Sequence, residues 1–214
     1  MRINEIFQSI NGECCFNYQG SLCTFIRLQG CNLRCKFCDT KYAQDSLGGI
    51  EMPISDIVKE VEELGNKNVT ITGGEPLLQK EDVQILTNIL DCIGYEVSIE
   101  TNGSIPFYNE YPWDCSFVVD YKLPSSGMED KMVDQIFLDL TVCDFIKFVC
   151  ENMNDFYCAM EVLERLDLEC RIAFSPVFGV LDPAELYKWM NKEKLLKEKG
   201  AILSLQLHKT LRLK

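Results

Sequence analysis

Positive charge is scarce in this sequence. Its 214 residues carry 21 Lys and Arg against 33 Asp and Glu, a formal charge of −12. A nucleic acid would approach such a chain against a repulsive mean field, and no basic patch stands out, so a small-molecule substrate is favoured over DNA or RNA. No apolar run approaches the roughly 20 residues that span a bilayer. The opening Met1-Arg2-Ile3-Asn4-Glu5-Ile6 lacks the long apolar core of a signal peptide. Neither a membrane location nor a secreted one is supported, and a cytoplasmic one is expected. Histidine is limited to His208. Internal repeats, low-complexity tracts and linkers are also missing, and the length suits a single domain, residues 1–214, with a sizeable core.

Cysteine, by contrast, is plentiful. Nine of the twelve (Cys14, Cys15, Cys23, Cys92, Cys115, Cys143, Cys150, Cys158 and Cys170) are dispersed through apolar segments, where a small thiol fills core space. So many free thiols suit a reducing cytosol. The adjacent pair Cys14-Cys15 converges poorly on one ion. The other three fall in Cys31-Asn32-Leu33-Arg34-Cys35-Lys36-Phe37-Cys38-Asp39-Thr40, spaced C-x3-C-x2-C, just after the apolar run Leu22 to Leu28. Such spacing lets one loop at a strand end wrap its thiolates around a soft metal centre, and thiolate selects iron–sulfur clusters, zinc or copper(I). A closed structural site asks for four protein ligands. With three in reach, one metal position is left for a substrate or cofactor, by the logic of open catalytic sites. The competing reading is a structural zinc site completed by a distant Cys or by His208.

Strand and helix patterns alternate along the chain. Expected strands are Leu22 to Leu28, Asn68 to Thr72, Tyr95 to Glu100, Phe117 to Tyr121, Phe145 to Val149, Arg171 to Phe174 and Ile202 to Leu207, with a lead-in loop before the first. Between them lie helical stripes such as Ile54, Ile57, Val58, Val61 and Leu64, and Val83, Leu86, Ile89, Leu90 and Ile93. About seven strands with five or six helices predict an α/β fold with a parallel sheet, too short for a closed eightfold barrel of about 250 residues. A partial β/α barrel follows, with its ligand site at the C-terminal ends of the strands. There the cysteine loop, Gly73-Gly74-Glu75, Glu100-Thr101-Asn102, Lys122, Ser175 and His208 would gather. Arg27 interrupts an apolar strand, either paired structurally or facing an anionic ligand.

The cysteine loop, with Phe37 before its last thiol, resembles the signature of the radical S-adenosylmethionine (SAM) superfamily, and Thr72-Gly73-Gly74-Glu75-Pro76 resembles its GGE motif. Further segments, Phe7-x-Ser9-Ile10-Asn11-Gly12-Glu13, Cys38-Asp39-Thr40, Glu100-Thr101-Asn102-Gly103 and Leu205-Gln206-Leu207-His208-Lys209, resemble the 7-carboxy-7-deazaguanine synthase family nearly from end to end. That resemblance implies a radical SAM lyase with a reduced barrel. It would contract 6-carboxy-5,6,7,8-tetrahydropterin with loss of ammonia, toward 7-deazapurines such as queuosine. It implies a 4Fe-4S cluster on Cys31, Cys35 and Cys38, and SAM contacts from Phe37, Gly73, Gly74, Glu75, Lys122 and Ser175. Ile10, Asn11, Gly12, Glu13, Arg27, Thr72 and His208 would meet the pterin, and Thr40 a Mg2+ ion. A homodimer and an electron donor such as flavodoxin or ferredoxin are implied as well.

The sequence departs from the family where Asn11 replaces the usual Gln and where Asp120-Tyr121-Lys122 replaces a Ser-Pro-Lys found in some members. Thr40 also suits a cap after the loop, and His208 a hydrogen-bonding role at the domain edge. A radical activase of a glycyl-radical enzyme, a non-catalytic metal-binding module and an enzyme acting directly on tRNA are the rival readings.

Overall fold

Period-two alternation along consecutive strands organises the fold. The computed structural model describes residues 1–107 and 115–214. Its strands are β1 (Arg2–Ile10), β2 (Leu22–Leu28), β3 (Ile50–Glu51), β4 (Asn68–Gly73), β5 (Glu96–Thr101), β6 (Ser116–Tyr121), β7 (Phe145–Cys150), β8 (Arg171–Pro176) and β9 (Ile202–Leu203). They form one sheet in the order β3-β1-β2-β4-β5-β6-β7-β8-β9. From β2 to β9 every pairing is parallel, which gives the seven expected parallel strands. Among the described residues the two edges, β3 and β9, do not pair, so the barrel stays open.

The helices are α1 (Ile54–Leu64), α2 (Lys80–Cys92), α3 (Asp134–Leu138), α4 (Met153–Arg165), α5 (Pro183–Met190), α6 (Lys194–Glu198) and α7 (Leu207–Leu211). Their starts are legible in the chain. Asn152 caps α4 by accepting from the Asn154 and Asp155 N–H groups, and Asp182 caps α5, with Pro183 at its first position. One side of each parallel strand is apolar and lies in the main core under these helices: Ile26 and Leu28, Val69 and Ile71, Val97 and Ile99, Phe117 and Val119, Ile146 and Phe148, Ile172 and Phe174. The alternate positions face the other way and carry Arg27, Thr72, Glu100, Asp120 and Lys147, all lining one cavity. The sheet thus has a packing face and a chemical face.

Two expectations are corrected. The lead-in before Leu22 contains β1, a nine-residue strand antiparallel to both β2 and β3. The stretch Ile202 to Leu207 pairs as a strand only at Ile202 and Leu203. Beyond Ser204, whose N–H donates to the Phe174 carbonyl at 2.8 Å, the chain leaves the sheet and winds into α7, which carries His208.

Candidate active site

The cavity opens where β2, β4, β5, β6 and β7 end, beneath the cysteine loop. That loop is held from several sides. Gly30 N–H donates to Ala43 O (2.8 Å), Cys31 N–H to Gln44 O (3.2 Å), and Lys36 N–H to Ser126 O (3.0 Å). The Asn102 amide reaches Asn32 Oδ1 at 3.0 Å. Cys31, Cys35 and Cys38 all line the cavity, together with Phe37. Burial pushes the Cys31 and Cys35 thiols up, so iron loading must displace their protons against a cost. Among the described residues no three His, Cys, Asp or Glu side chains converge on a point that would hold a single ion. A polynuclear cluster, whose three cysteines each take a different iron, needs spread ligands, and the soft three-thiol donor set fits it.

Gly74 accounts for the double glycine in a way the sequence does not suggest. A Cβ there would lie 2.2 Å from Gly30 O and 2.7 Å from Ala43 O, so the turn needs bare backbone in order to pass under the cysteine loop. Glu75 then turns inward. Its side chain is fully buried, accepts from Leu77 N–H (2.9 Å), Thr101 Oγ1 (2.7 Å) and Asn102 N–H (2.7 Å), and does not line the cavity. The carboxylate fastens the turn after β4 to the end of β5.

Asn11 is held in a similar way. Buried, it accepts from Thr70 Oγ1 (2.8 Å), donates to Ser21 Oγ (2.9 Å) and lies outside the cavity lining. Ser175 is buried on β8 beside Val149 and also lies outside that lining. The remaining expected site residues, Ile10, Gly12, Glu13, Arg27, Thr40, Thr72, Gly73, Gly74, Lys122 and His208, all line it.

Arg27 stands between the Phe7 and Tyr42 rings, its guanidinium carbon 5.7 and 5.9 Å from their centroids, and its Nε donates to Glu5 at 2.9 Å. Burial works against ionisation of Glu5, but Lys214 and Arg27 hold its carboxyl below the ordinary range. Thr40 does not cap the short 3-10 turn that follows it; its hydroxyl donates to Asp39 (2.9 Å), which is ion-paired with Lys209.

His208 packs on Gly12, where a Cβ would fall 1.9 Å from its Nδ1, and Leu207 N–H donates to Gly12 O (2.9 Å). Burial holds this imidazole below its ordinary value, so it is neutral at pH 7. The unfolded chain takes up this proton near pH 6.5, whereas the folded one resists it. The associated stability is therefore present above that pH and is lost as pH falls through the depressed folded value. Melting of wild type and H208Q between about pH 7 and about pH 5 is expected to show a smaller acid loss in the variant.

Lys147 and Asp120 also line the cavity, and sequence patterns alone do not single them out. On adjacent strands and in register, their side chains meet at 2.9 Å. Lys147 also pairs with Glu13, and Asp120 with Lys122 at 2.7 Å. Burial alone would lower the Lys147 pKa, but Asp120, Glu13 and Glu100 raise it well above its usual value, so it remains an ammonium. Thr72 donates to Glu100 at 2.8 Å, and burial pushes the Glu100 carboxyl up. A Lys alternating with apolar neighbours in Phe145-Ile146-Lys147-Phe148-Val149 is the one signal the sequence offers.

An open parallel β/α sheet with three thiols and a glycine cradle at its C-terminal rim defines a radical SAM enzyme. The family model described as the radical SAM superfamily matches residues 25–112, which include both motifs. The chain belongs to the 7-carboxy-7-deazaguanine synthase family. It is 39% identical to 7-carboxy-7-deazaguanine synthase of Clostridium acetobutylicum, over 97% of this chain and 94% of the relative. It is 38% identical to that of Methanospirillum hungatei, over 98% and 84%. The crystal structure of QueE from Escherichia coli superposes with a TM-score of 0.73 at 26% identity, covering 95% of this chain and 92% of that one. Membership sets aside the activase, metal-module and tRNA readings.

Proposed function

We propose that this protein converts 6-carboxy-5,6,7,8-tetrahydropterin to 7-carboxy-7-deazaguanine with loss of ammonia, a step of 7-deazapurine biosynthesis that serves queuosine. The observation that carries the reading is one cavity lined both by three thiols with the Gly73-Gly74 turn and by Arg27, Glu13 and His208.

Cys31, Cys35 and Cys38 hold a 4Fe-4S cluster. Gly73, Gly74, Phe37 and Lys122 hold SAM. When bound, the pair supplies a 5'-deoxyadenosyl radical able to take hydrogen from the pterin. The chain's own residues bind, orient and exclude water. The Arg27 Nε is committed to Glu5, which fixes the plane of the guanidinium and leaves its two Nη groups for the substrate carboxylate. Glu13, Thr72 and neutral His208 offer hydrogen bonds to the ring, with Ile10 and Gly12 shaping its edge. Thr40 and the neighbouring Asp39 put two oxygens at the rim. This suits Mg2+, which keeps several waters and takes few protein ligands. The enzyme works in the cytoplasm as a homodimer of single-domain subunits, reduced by a flavodoxin or ferredoxin.

The test is anaerobic. Reconstituted protein receives dithionite, SAM, Mg2+ and 6-carboxytetrahydropterin, and the products are followed by mass spectrometry. The expected result is 7-carboxy-7-deazaguanine without net loss of SAM, together with a Mg2+ stimulation that disappears in T40V. Accumulation of 5'-deoxyadenosine and methionine alone would retain the radical chemistry and overturn the substrate.

A further inference from the structure

Five side chains, four of them lining the cavity, form a connected polar chain. Gln206 Nε2 donates to Glu13 Oε1 at 2.7 Å. Glu13 Oε2 takes the Lys147 ammonium, which lies 2.9 Å from Asp120 Oδ1, and Asp120 Oδ2 takes Lys122 at 2.7 Å. Each carboxylate oxygen thus meets one partner. The contact to Asp120 Oδ1 is an ion pair without hydrogen-bond alignment, so charge rather than direction holds that end.

The two ends of this chain differ in what they touch. Gln206 leads into α7, which carries His208 against Gly12. Lys122 lines the same cavity as Cys35. Lys147 is the middle member and the only one on β7, and it is 6% exposed. An ammonium withdrawn from water this far is costly unless it is paired, and a well-packed apolar set in place of the whole Glu13–Lys147–Asp120 network would stabilise the fold about as well, although losing the lysine alone would strand two carboxylates. Fold stability therefore does not account for a lysine there. Its distinguishing property is that one rigid strand position clamps two carboxylates from two other elements, the segment after β1 and the strand β6.

We propose that Lys147 is a positioning residue that fixes Glu13 against the pterin and, through Asp120, fixes Lys122 against the cofactor, so that hydrogen abstraction stays coupled to product formation. This rests on the assignment of Glu13 and Lys122 to substrate and SAM given above. Lys147 acts through Glu13 and need not touch the substrate.

A double-mutant cycle on the reconstituted enzyme tests it, with wild type, K147M, E13Q and E13Q/K147M. The readouts are equilibrium binding of 6-carboxytetrahydropterin, 5'-deoxyadenosine released per product, cluster absorbance and melting temperature. In K147M, pterin affinity is expected to fall about tenfold or more, the size of a lost charge-assisted contact. The cluster should stay intact, and 5'-deoxyadenosine should now accumulate. In the E13Q background the same substitution is expected to change pterin affinity less than twofold. An equal loss in both backgrounds, or K147M behaving as wild type, would overturn the proposal. Should K147M alone not fold, E13Q/K147M, which removes one charge of each sign, is compared with E13Q. A further loss of affinity in that comparison would overturn the proposal too. Wild type that neither binds nor converts the pterin would overturn the functional assignment and this proposal together; additive losses in an enzyme that does turn over would overturn this proposal alone.

Discussion

Replacing Cys35 with alanine is expected to leave a folded protein that holds no intact cluster and forms no product above the uncatalysed background. The loop that carries Cys35 is positioned by backbone hydrogen bonds to Ala43, Gln44 and Ser126, none of which uses a thiol. Cys35 is only partly buried and lies outside the apolar core, so losing its sulfur opens no large cavity. Its chemical role is different, because a cluster that leaves one iron for a cofactor relies on all three protein thiolates. Melting temperature should therefore stay within a few degrees of wild type, about 2–4 °C for each kcal/mol in a chain of this size, while iron and sulfide content and SAM cleavage collapse together. C92A is the control, since Cys92 is exposed at the end of α2 and far in sequence from the loop. Stoichiometric iron and sulfide in C35A, with SAM cleavage retained, would rule out this loop as the cluster's cradle.

The parts of this molecule that are legible in the sequence are those in which spacing or periodicity carries the physics. Three thiols at intervals of four and three residues have few uses, and the parallel strands are visible because β2, β4, β5 and β7 are short runs bounded by turn residues. β1 is not visible. Its inner and outer positions mix Arg2, Asn4, Glu5, Gln8 and Ser9 with apolar residues, and only Ile3 is buried. The run Ile202-Leu203-Ser204-Leu205-Gln206-Leu207 alternates like a strand, yet Glu13 engages the Gln206 side chain and the backbone turns into α7. That competition lies 193 residues away in sequence and no local pattern reports it.

Lys147 and Asp120 illustrate a different loss. Each sits in an otherwise apolar strand, where composition shows a buried run with one blemish. Placing β6 and β7 side by side puts the two in register on the chemical face, and a buried Lys opposite a half-buried Asp becomes a built pair. Charge-bearing positions of adjacent parallel strands therefore need to be considered together. The direction a turn residue faces is harder still. Nothing in Gly73-Gly74-Glu75-Pro76 says that the carboxylate points into the protein, and its place beside a glycine cradle suggests a ligand instead.

That inward turn makes Glu75 the second large effect. In E75A three donors, Leu77 N–H, Asn102 N–H and the Thr101 hydroxyl, lose their acceptor in a place without access to water. Leaving buried donors unsatisfied costs about 1–3 kcal/mol each, and local rearrangement recovers part of the sum, so a net loss of roughly 3 kcal/mol or more is expected. At about 2–4 °C per kcal/mol, the apo protein should melt some 6–12 °C lower. E75Q should fall between the two, since its amide oxygen can still accept from Leu77 and Thr101 while its NH2 group meets the Asn102 N–H as donor against donor. The decisive comparison is made without SAM. A carboxylate whose only task is to bind the cofactor's ammonium leaves apo stability unchanged and raises the KM for SAM; a carboxylate that ties β4 to β5 lowers the apo melting temperature first. Any loss of SAM affinity in E75A then follows from a displaced Gly73-Gly74 turn, and unchanged apo melting in E75A would return Glu75 to the cofactor.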